Sequence, residues 1–214
     1  MTILALEFSS DRRGVAVFRD GVVLSEVVHG GTRETPIFEL ITRALGDAHV
    51  DRREISCVAA GLGPGSYTGI RLAISVAQGW QLGTEVMTVG VSSLENLAVT
   101  AAPLGPLLLA VDSQRGEFAV VEAEGGVLTG TVRLVPTAEL SVRMAAGWRI
   151  AGPDLPPALV GGLALHPTAS VLARLAVGRT PVKAEELTPI YLREAAFVKS
   201  PPGRTVALGM QNPR

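Results

Sequence analysis

A glycine-rich turn is the segment of this sequence best suited to hold a phosphate. It reads Gly-Leu-Gly-Pro-Gly-Ser-Tyr-Thr-Gly over residues 61–69, between an apolar stretch and a helical pattern. Backbone N–H groups at the start of a helix can bind an anion. A Walker loop ends in Gly-Lys-Ser/Thr, but the first lysine of this sequence is Lys183. A dinucleotide-binding turn needs a further glycine three residues after Gly65, and Thr68 stands at that position. The turn therefore fits neither nucleotide motif.

Ser66 in the same turn could be the nucleophile of a hydrolase, because it lies between a predicted strand and a helix. A nucleophile elbow has glycine two residues before and after the serine, whereas this sequence has proline and threonine there. The third interpretation is structural, a tight turn that starts a closely packed helix. The residues of this turn and the first helical arginine are Gly63, Pro64, Gly65, Ser66, Tyr67 and Arg71.

Carboxylates follow the first apolar strand in each half of the chain. Glu7 and Ser9 stand at the end of one strand, and Asp112 and Arg115 at the end of the other. A carboxylate in such a place could hold a metal–nucleotide, so these four residues could be the remnant of a nucleotide site. The competing interpretation is two turns, with local backbone bonds and a surface ion pair. No His, Cys or carboxylate group has the spacing of a metal site, and we expect no metal and no tightly bound cofactor.

The composition excludes several classes of protein. Apolar residues make up 47% of the 214 residues and charged residues 18%, unlike a disordered chain. The longest apolar run, 104–111, is too short to span a membrane. The net charge of −1 and the lack of a basic cluster argue against independent binding of nucleic acid. Cys57 is the single cysteine, which excludes an intrachain disulfide and fits the reducing cytoplasm.

The first half of the chain follows the order β-β-β-α-β-α-β-α. Asp20-Gly21 predicts a hairpin turn, Cys57 is expected in a buried strand, and Thr35 and Gly46 are expected to cap and end the first helix. This order predicts an α/β fold with mixed β-sheets flanked by helices, the ribonuclease-H-like half of actin/Hsp70-type ATPases. The predicted strands are 2–8, 14–19, 22–28, 57–62 and 85–89, and the helices are about 35–46, 67–82 and 92–101.

A Pro/Gly-containing segment at 101–106 predicts a boundary between two ribonuclease-H-like subdomains. The second half begins with three more strands, which indicates a degraded structural duplication. We expect a helix at 168–177 and irregular structure over 136–167, apart from a strand near 148–151. The predicted units are an N-terminal subdomain 1–103, a smaller C-terminal subdomain 104–200 and a disordered tail 201–214, and the later strands are 107–111, 118–122 and 127–134.

The helix after the glycine turn is apolar around more than half of its circumference. At about 100° per residue its apolar positions fill an arc of roughly 200°, about twice what packing on one sheet requires. The helix is therefore expected to contact a second surface, either a neighbouring helix of this chain or another subunit. The expected contact residues, with small ones in the middle of the arc, are Thr68, Gly69, Ile70, Leu72, Ala73, Val76, Ala77 and Trp80.

Four blocks of the sequence carry a family resemblance. Residues 63–71, Gly-Pro-Gly-Ser-Tyr-Thr-Gly-Ile-Arg, resemble the signature G-P-G-S-(F/Y)-T-G-(L/I/V)-R of the TsaB family. Three shorter blocks follow in the family's order: 90–95, then 111–117, similar to D-A-R-x-G-E, and 189–193, similar to P-x-Y-L-R. The nine-residue block is specific and the others support it by their order.

The resemblance implies two ribonuclease-H-like subdomains and a non-catalytic scaffold role. TsaB is implied to bind TsaD, which holds the metal and performs the transfer, through its first two helices in a four-helix bundle. This adds Ile37, Leu40 and Ile41 to the expected interface. With the ATPase TsaE, the complex is implied to install threonylcarbamoyl on adenosine 37 of tRNAs that read ANN codons. ATP/ADP and metal are implied on the partner subunits, and tRNA contact only through the complex; in isolation we expect a homodimer through the same helices.

Two departures from the family pattern bear on the alternatives. Glu7 stands where the family often has Asp, and no His precedes the first helix in segment 31–36. The main hypothesis is a scaffold or activator subunit. The alternative is an actin-type ATP-binding enzyme, an ATPase or kinase, suggested by Glu7, Asp112 and the glycine turn. A glycoprotease-like peptidase with Ser66 as nucleophile is a third hypothesis.

Overall fold

The structure, a computed structural model, describes residues 1–31 and 35–192 and contains two mixed β-sheets. In the first sheet the order is β3-β2-β1-β4-β5. The first three strands are antiparallel neighbours, whereas β4 and β5 run parallel to β1. The strands are β1 (Thr2–Glu7), β2 (Arg12–Arg19), β3 (Val22–Gly30), β4 (Cys57–Gly61) and β5 (Met87–Val91).

The second sheet repeats this arrangement in the order β11-β10-β6-β7-β8, with β9 also paired to β7. Its first strand, β6, has an antiparallel neighbour on one side and parallel strands on the other, as β1 does. The predicted α/β fold with two ribonuclease-H-like halves is confirmed. The strands are β6 (Leu107–Asp112), β7 (Glu117–Glu124), β8 (Val127–Leu128), β9 (Arg133–Pro136), β10 (Ile150–Gly152) and β11 (Leu163–Ala164).

In the part of the chain that the structure describes, five α-helices cover these sheets: α1 (Ile37–Asp47), α2 (Tyr67–Gly83), α3 (Ser93–Ala101), α4 (Thr137–Ala145) and α5 (Ala169–Ala176). The apolar sides of α1 and α2 share one core cluster with the side chains on one face of the first sheet. The helix α5 packs on the opposite face. None of the helices in the described ranges has the length and apolar content that a membrane span requires.

Local signals in the sequence placed several of these elements correctly. Asp20 and Gly21 have φ angles of 49° and 91°, the positive values that a tight hairpin turn of this kind needs. The hydroxyl of Ser92 accepts a hydrogen bond from the N–H of Leu94 and so caps α3. The side chain of Thr35 does not cap α1, which begins at Ile37.

Two expectations for the second half were wrong. The single strand at 127–134 is two short strands, because β8 pairs with one end of β7 and β9 with the other. The stretch 136–167 is not irregular, since it contains α4. This helix runs from Thr137 to Ala145 and buries one residue completely, Leu140.

The expected assignment of all of 104–200 to a second subdomain also needs correction. The apolar stripe of α5 packs on the first sheet, where it covers a face that α1 and α2 leave open. Val182 then pairs with Thr88 of β5, and Leu187 joins the core under α2. The chain therefore crosses to the second sheet and returns. The tail predicted at 201–214 lies outside the described residues.

Cys57 is buried in β4, as predicted, with 1% of its surface exposed. Burial raises the pKa of its thiol to about 11, so the reactive thiolate is scarce near neutral pH. We expect Ellman's reagent to leave the native protein unlabelled and to label it fully in denaturant. Rapid labelling of the native protein would contradict this burial.

Candidate functional site

The glycine turn lies directly against the end of β1. A Cβ atom on Gly65 or Gly69 would fall closer than 3.0 Å to the carbonyl oxygens of Ser9 and Phe8, a separation that real Cβ atoms essentially never show. The N–H of Ser66 donates to the Ser9 carbonyl at 2.7 Å. These two glycines therefore let the start of α2 touch the backbone that follows β1.

Ser66 has the contacts of a helix cap. Its Oγ accepts a hydrogen bond from the N–H of Gly69 at 3.3 Å, which satisfies one of the free donors at the start of α2. The imidazole of His166 lies elsewhere, with Nδ1 3.4 Å from Ser10 Oγ and 3.3 Å from Asp11 Oδ1. The geometry thus gives Ser66 a structural task and does not pair it with that histidine as a base.

Glu7 is completely buried at the centre of a polar network. Its carboxylate accepts hydrogen bonds from the N–H of Ser9 at 3.0 Å, from the hydroxyl of Ser93 at 3.2 Å and from the amide of Asn96 at 3.4 Å. Asn96 also exchanges two hydrogen bonds with the backbone of Thr168, the residue that caps α5. The network joins the end of β1 to α3 and to α5.

The surroundings of Glu7 oppose a role in holding a metal–nucleotide. Burial raises the pKa of its carboxyl above the ordinary value of 4.5, although the hydrogen bonds from Ser9, Ser93 and Asn96 lower it again in part. A Cβ atom on Gly61 would meet this carboxylate, so the backbone of β4 closes one side of it. Ser9 is also buried, with 3% exposed. Both residues serve the interior of the protein.

Asp112 and Arg115 lie in the turn between β6 and β7. Asp112 Oδ1 accepts a hydrogen bond from the N–H of Gln114 at 2.7 Å, as expected for a local turn. Within the described ranges the ion pairs do not include one between Asp112 and Arg115. The same part of the chain contains no cluster of His, Cys, Asp and Glu that could hold a metal ion.

The predicted partner interface divides into buried and accessible residues. The chain's own sheet covers Ile37, Leu40, Ile41, Gly69, Ile70, Ala73 and Ala77, which the structure places in the core. The residues that keep exposed surface are Thr68, Leu72, Val76 and Trp80. The small residues in the middle of the apolar arc, Gly69, Ala73 and Ala77, therefore let α2 approach its own sheet closely. A partner would have to contact the side of α2 that carries the accessible residues.

Two exposed apolar residues on these helices lie outside the predicted interface. Phe38 on α1 is 77% exposed and Leu82 near the end of α2 is 90% exposed. Both lie outside the helical stripes that the spacing of apolar residues defines, so the periodicity gave no reason to select them. Their exposure makes the outward-facing sides of α1 and α2 more apolar than the spacing of apolar residues in the sequence predicts.

Several of the sequence blocks meet at the glycine turn. Ser93 donates its N–H to the carbonyl of Gly63, and Ile190 donates to the carbonyl of Leu62. Arg71 lies over the ring of Tyr67, with the guanidinium carbon 4.8 Å from the ring centre, and also bonds the Tyr67 hydroxyl. The ring of Tyr191 lies 6.2 Å from that of Tyr67. Residues far apart in sequence thus build one structural junction.

Comparison with known proteins gives consistent matches. A family model described as TsaD, tRNA N6-adenosine threonylcarbamoyltransferase, matches residues 33–151. The tRNA threonylcarbamoyladenosine biosynthesis protein TsaB of Escherichia coli (strain K12) is 30% identical over 232 residues, which cover 95% of this chain and 100% of the relative. The tRNA N6-adenosine threonylcarbamoyltransferase of Salinibacter ruber (strain DSM 13855 / M31) is 31% identical over 50% of this chain and 36% of its own length.

A solved structure shows the same architecture. The structure of YeaZ from Pseudomonas aeruginosa superposes with a TM-score of 0.72 at 27% sequence identity. The match covers 89% of this chain and 99% of that chain. The likeness therefore extends over both sheets.

Proposed function

The chain belongs to the TsaB family of tRNA threonylcarbamoyladenosine biosynthesis proteins, and from this premise we propose that it is the non-catalytic subunit that binds and activates the transferase TsaD. The family takes part in tRNA threonylcarbamoyladenosine biosynthesis. The finer role, a scaffold for TsaD and the ATPase TsaE during threonylcarbamoyl transfer to adenosine 37 of ANN-decoding tRNAs, is our proposal. In this role the chain contacts tRNA only through the complex.

One observation carries this proposal: α1 and α2 lie on one face of the first sheet and expose apolar side chains outward. Along α2, Thr68, Leu72 and Leu82 fall on one side of the helix, with the small residues Ser75 and Gly79 between them. Phe38 stands out from α1. Exposed apolar surface on adjacent helices is typical of a protein-binding site, and it fits two helices of a partner in a four-helix bundle.

The likeness to the transferase itself supports this pairing. The family model and the Salinibacter ruber relative carry the transferase name, and the model match spans both α1 and α2. Two subunits of one fold can place equivalent helices against each other around a pseudo-twofold axis, as homodimers do around a true one. The same surface would then form a homodimer when TsaD is absent.

The chemistry of the chain supports a non-catalytic role. Ser66 acts as a helix cap and Glu7 is enclosed in the protein interior by its hydrogen-bond partners, so neither has the contacts of a catalytic group. We assign ATP/ADP and metal to the partner subunits. The alternative, an actin-type ATPase or kinase, predicts that the purified chain binds ATP with magnesium more tightly than about 10 µM, and calorimetry that detects such binding would favour it.

Charged substitutions on the outer helix faces test the scaffold proposal. We expect Phe38→Asp and Leu82→Asp each to weaken TsaD binding by about tenfold or more, because a carboxylate would be desolvated without a partner. Both side chains are largely exposed, so the fold should persist, as circular dichroism would verify. Calorimetric titration with purified TsaD gives the affinity, and gel filtration without TsaD should show the homodimer become a monomer.

Val160→Asp is the matched control, since Val160 is 86% exposed and lies outside α1 and α2. It should bind TsaD as the natural sequence does. If the two helix variants bind TsaD as tightly as the control does, the proposed interface is wrong.

A further inference from the structure

Three buried polar atoms surround one cavity between the two sheets. Within 1–31 and 35–192, the buried side-chain atoms without a hydrogen-bond partner include Arg13 Nε and Thr35 Oγ1. The third atom, Asp11 Oδ1, has the Nδ1 atom of His166 at 3.3 Å. All three residues line the same cavity of about 430 Å³. A buried polar atom without a partner costs about 1–3 kcal/mol. Two atoms without any partner, Arg13 Nε and Thr35 Oγ1, in the wall of one space indicate that their partner is a bound molecule.

Arg13 supplies the positive side of this cavity. Only 4% of its surface is exposed, and an arginine side chain stays protonated in proteins. The carboxylate of Asp11 lies close enough to oppose the effect of burial on the Arg13 pKa, which burial lowers. The unpartnered Nε–H remains a donor that needs an acceptor, and a carboxylate is the acceptor whose shape fits a guanidinium best.

Three carboxylates supply the negative side of the cavity. Asp112 and Asp154 line the cavity together with Asp11, and burial with the charge of Asp11 raises the pKa of Asp154. The ring of His166 lies beside Asp11. Three carboxylates repel a free phosphate or nucleotide, and they attract an ammonium group. A ligand that satisfies both walls must bring an anionic group to Arg13 and a cationic group to the carboxylates.

We propose that this cavity between the two sheets binds a small zwitterion of the α-amino acid class. The ligand carboxylate pairs with Arg13, its ammonium group faces Asp11, Asp112 and Asp154, and Thr35 adds a hydrogen bond. The cavity is larger than most amino acids, so water fills the rest. This activity goes beyond the scaffold role, because the cavity lies between the sheets and needs no partner subunit.

Thermal-shift measurements on the isolated chain with each standard L-amino acid test the proposal. At least one should raise the Tm by binding the folded state, and calorimetry gives its Kd. The same amino acid with its amine acetylated, or with its carboxyl amidated, should bind at least about tenfold more weakly, because each modification removes one charged pair. No shift with any amino acid, or equal binding of both blocked forms, would overturn the proposal, as would a shift with inorganic phosphate or ATP alone.

Variants separate a binding site from a structural one. Arg13→Met and Thr35→Val should each weaken binding of the amino acid by about tenfold or more. Arg13→Met should leave the Tm of the free chain unchanged or higher, since it removes a buried charge that lacks a full set of partners. Thr42→Val on the exposed side of α1 is the control and should bind normally. Unchanged binding by both cavity variants, or loss of folding in Arg13→Met with normal binding by Thr35→Val, would show that the unpartnered atoms serve the fold alone.

Discussion

Gly69→Ala is expected to lower the free energy of unfolding by about 3 kcal/mol. The new methyl group would fall closer than 3.0 Å to the carbonyl oxygen of Phe8. Backbone atoms cannot yield as a flexible side chain can, so α2 would have to move away from the end of β1. That movement would also disturb the Ser66 hydroxyl, which caps the helix by accepting from the N–H of Gly69. Urea denaturation of the isolated chain measures the loss.

Gly79→Ala is the matched control in the same helix. A Cβ atom at Gly79 meets nothing within 4 Å. Alanine there should stabilise the chain by up to about 1 kcal/mol, because glycine is a poor helix former. The same substitution at two positions of α2 thus has opposite signs. If both variants were equally stable, the glycine of the turn would not be required for packing, and a role in ligand contact would regain support.

The first half of the fold could be predicted because its signals are local. The Asp20-Gly21 turn, the run of buried β-strands and the capping serine of α3 each lie within a few residues. The sequence also predicted that the small residues around Ala73 allow close backbone approach. It could not tell what approaches, because the helical period defines a face and not the neighbour of that face. The structure shows that the neighbour of Ala73 and Ala77 is the chain's own core.

The elements that sequence reasoning misplaced depend on contacts between distant residues. The apolar stripe of α5 is evident in the sequence, but its partner, the first sheet, is built from strands that all end by Val91. The cavity likewise gathers Arg13, Thr35 and Asp154 from three separate segments, and no spacing rule links them. The position of Glu7 at the end of a strand suggests a remnant of a nucleotide site, and only the fold shows that Ser93 and Asn96 enclose it.

Glu7→Ala is the second substitution with a large expected effect. It would leave the N–H of Ser9, the hydroxyl of Ser93 and the amide of Asn96 without the acceptor that they share. Each buried donor left unpartnered costs about 1–3 kcal/mol. The contacts of Asn96 with Thr168 should loosen as well, so we expect α5 to detach more easily from the first sheet. Urea denaturation should show a loss of about 3 kcal/mol or more, and hydrogen exchange should be fastest in α3 and α5.

Glu7→Gln tests whether burial of this carboxyl makes stability depend on pH. Below about pH 4.5 the group is protonated in both folded and unfolded chains, so its contribution is fully present. As the pH rises, the Glu7 carboxyl ionises first in the unfolded chain, because burial raises its pKa in the folded chain. The free energy of unfolding therefore falls until the pH passes the pKa of Glu7 in the folded chain. Glutamine cannot ionise and does not suffer this loss. The stability of Glu7→Gln relative to the natural sequence should therefore increase as the pH rises above 4.5, and urea denaturation at a series of pH values would measure this. Parallel curves would mean that Glu7 titrates as an exposed carboxyl does, and the buried network would then have to be open in solution.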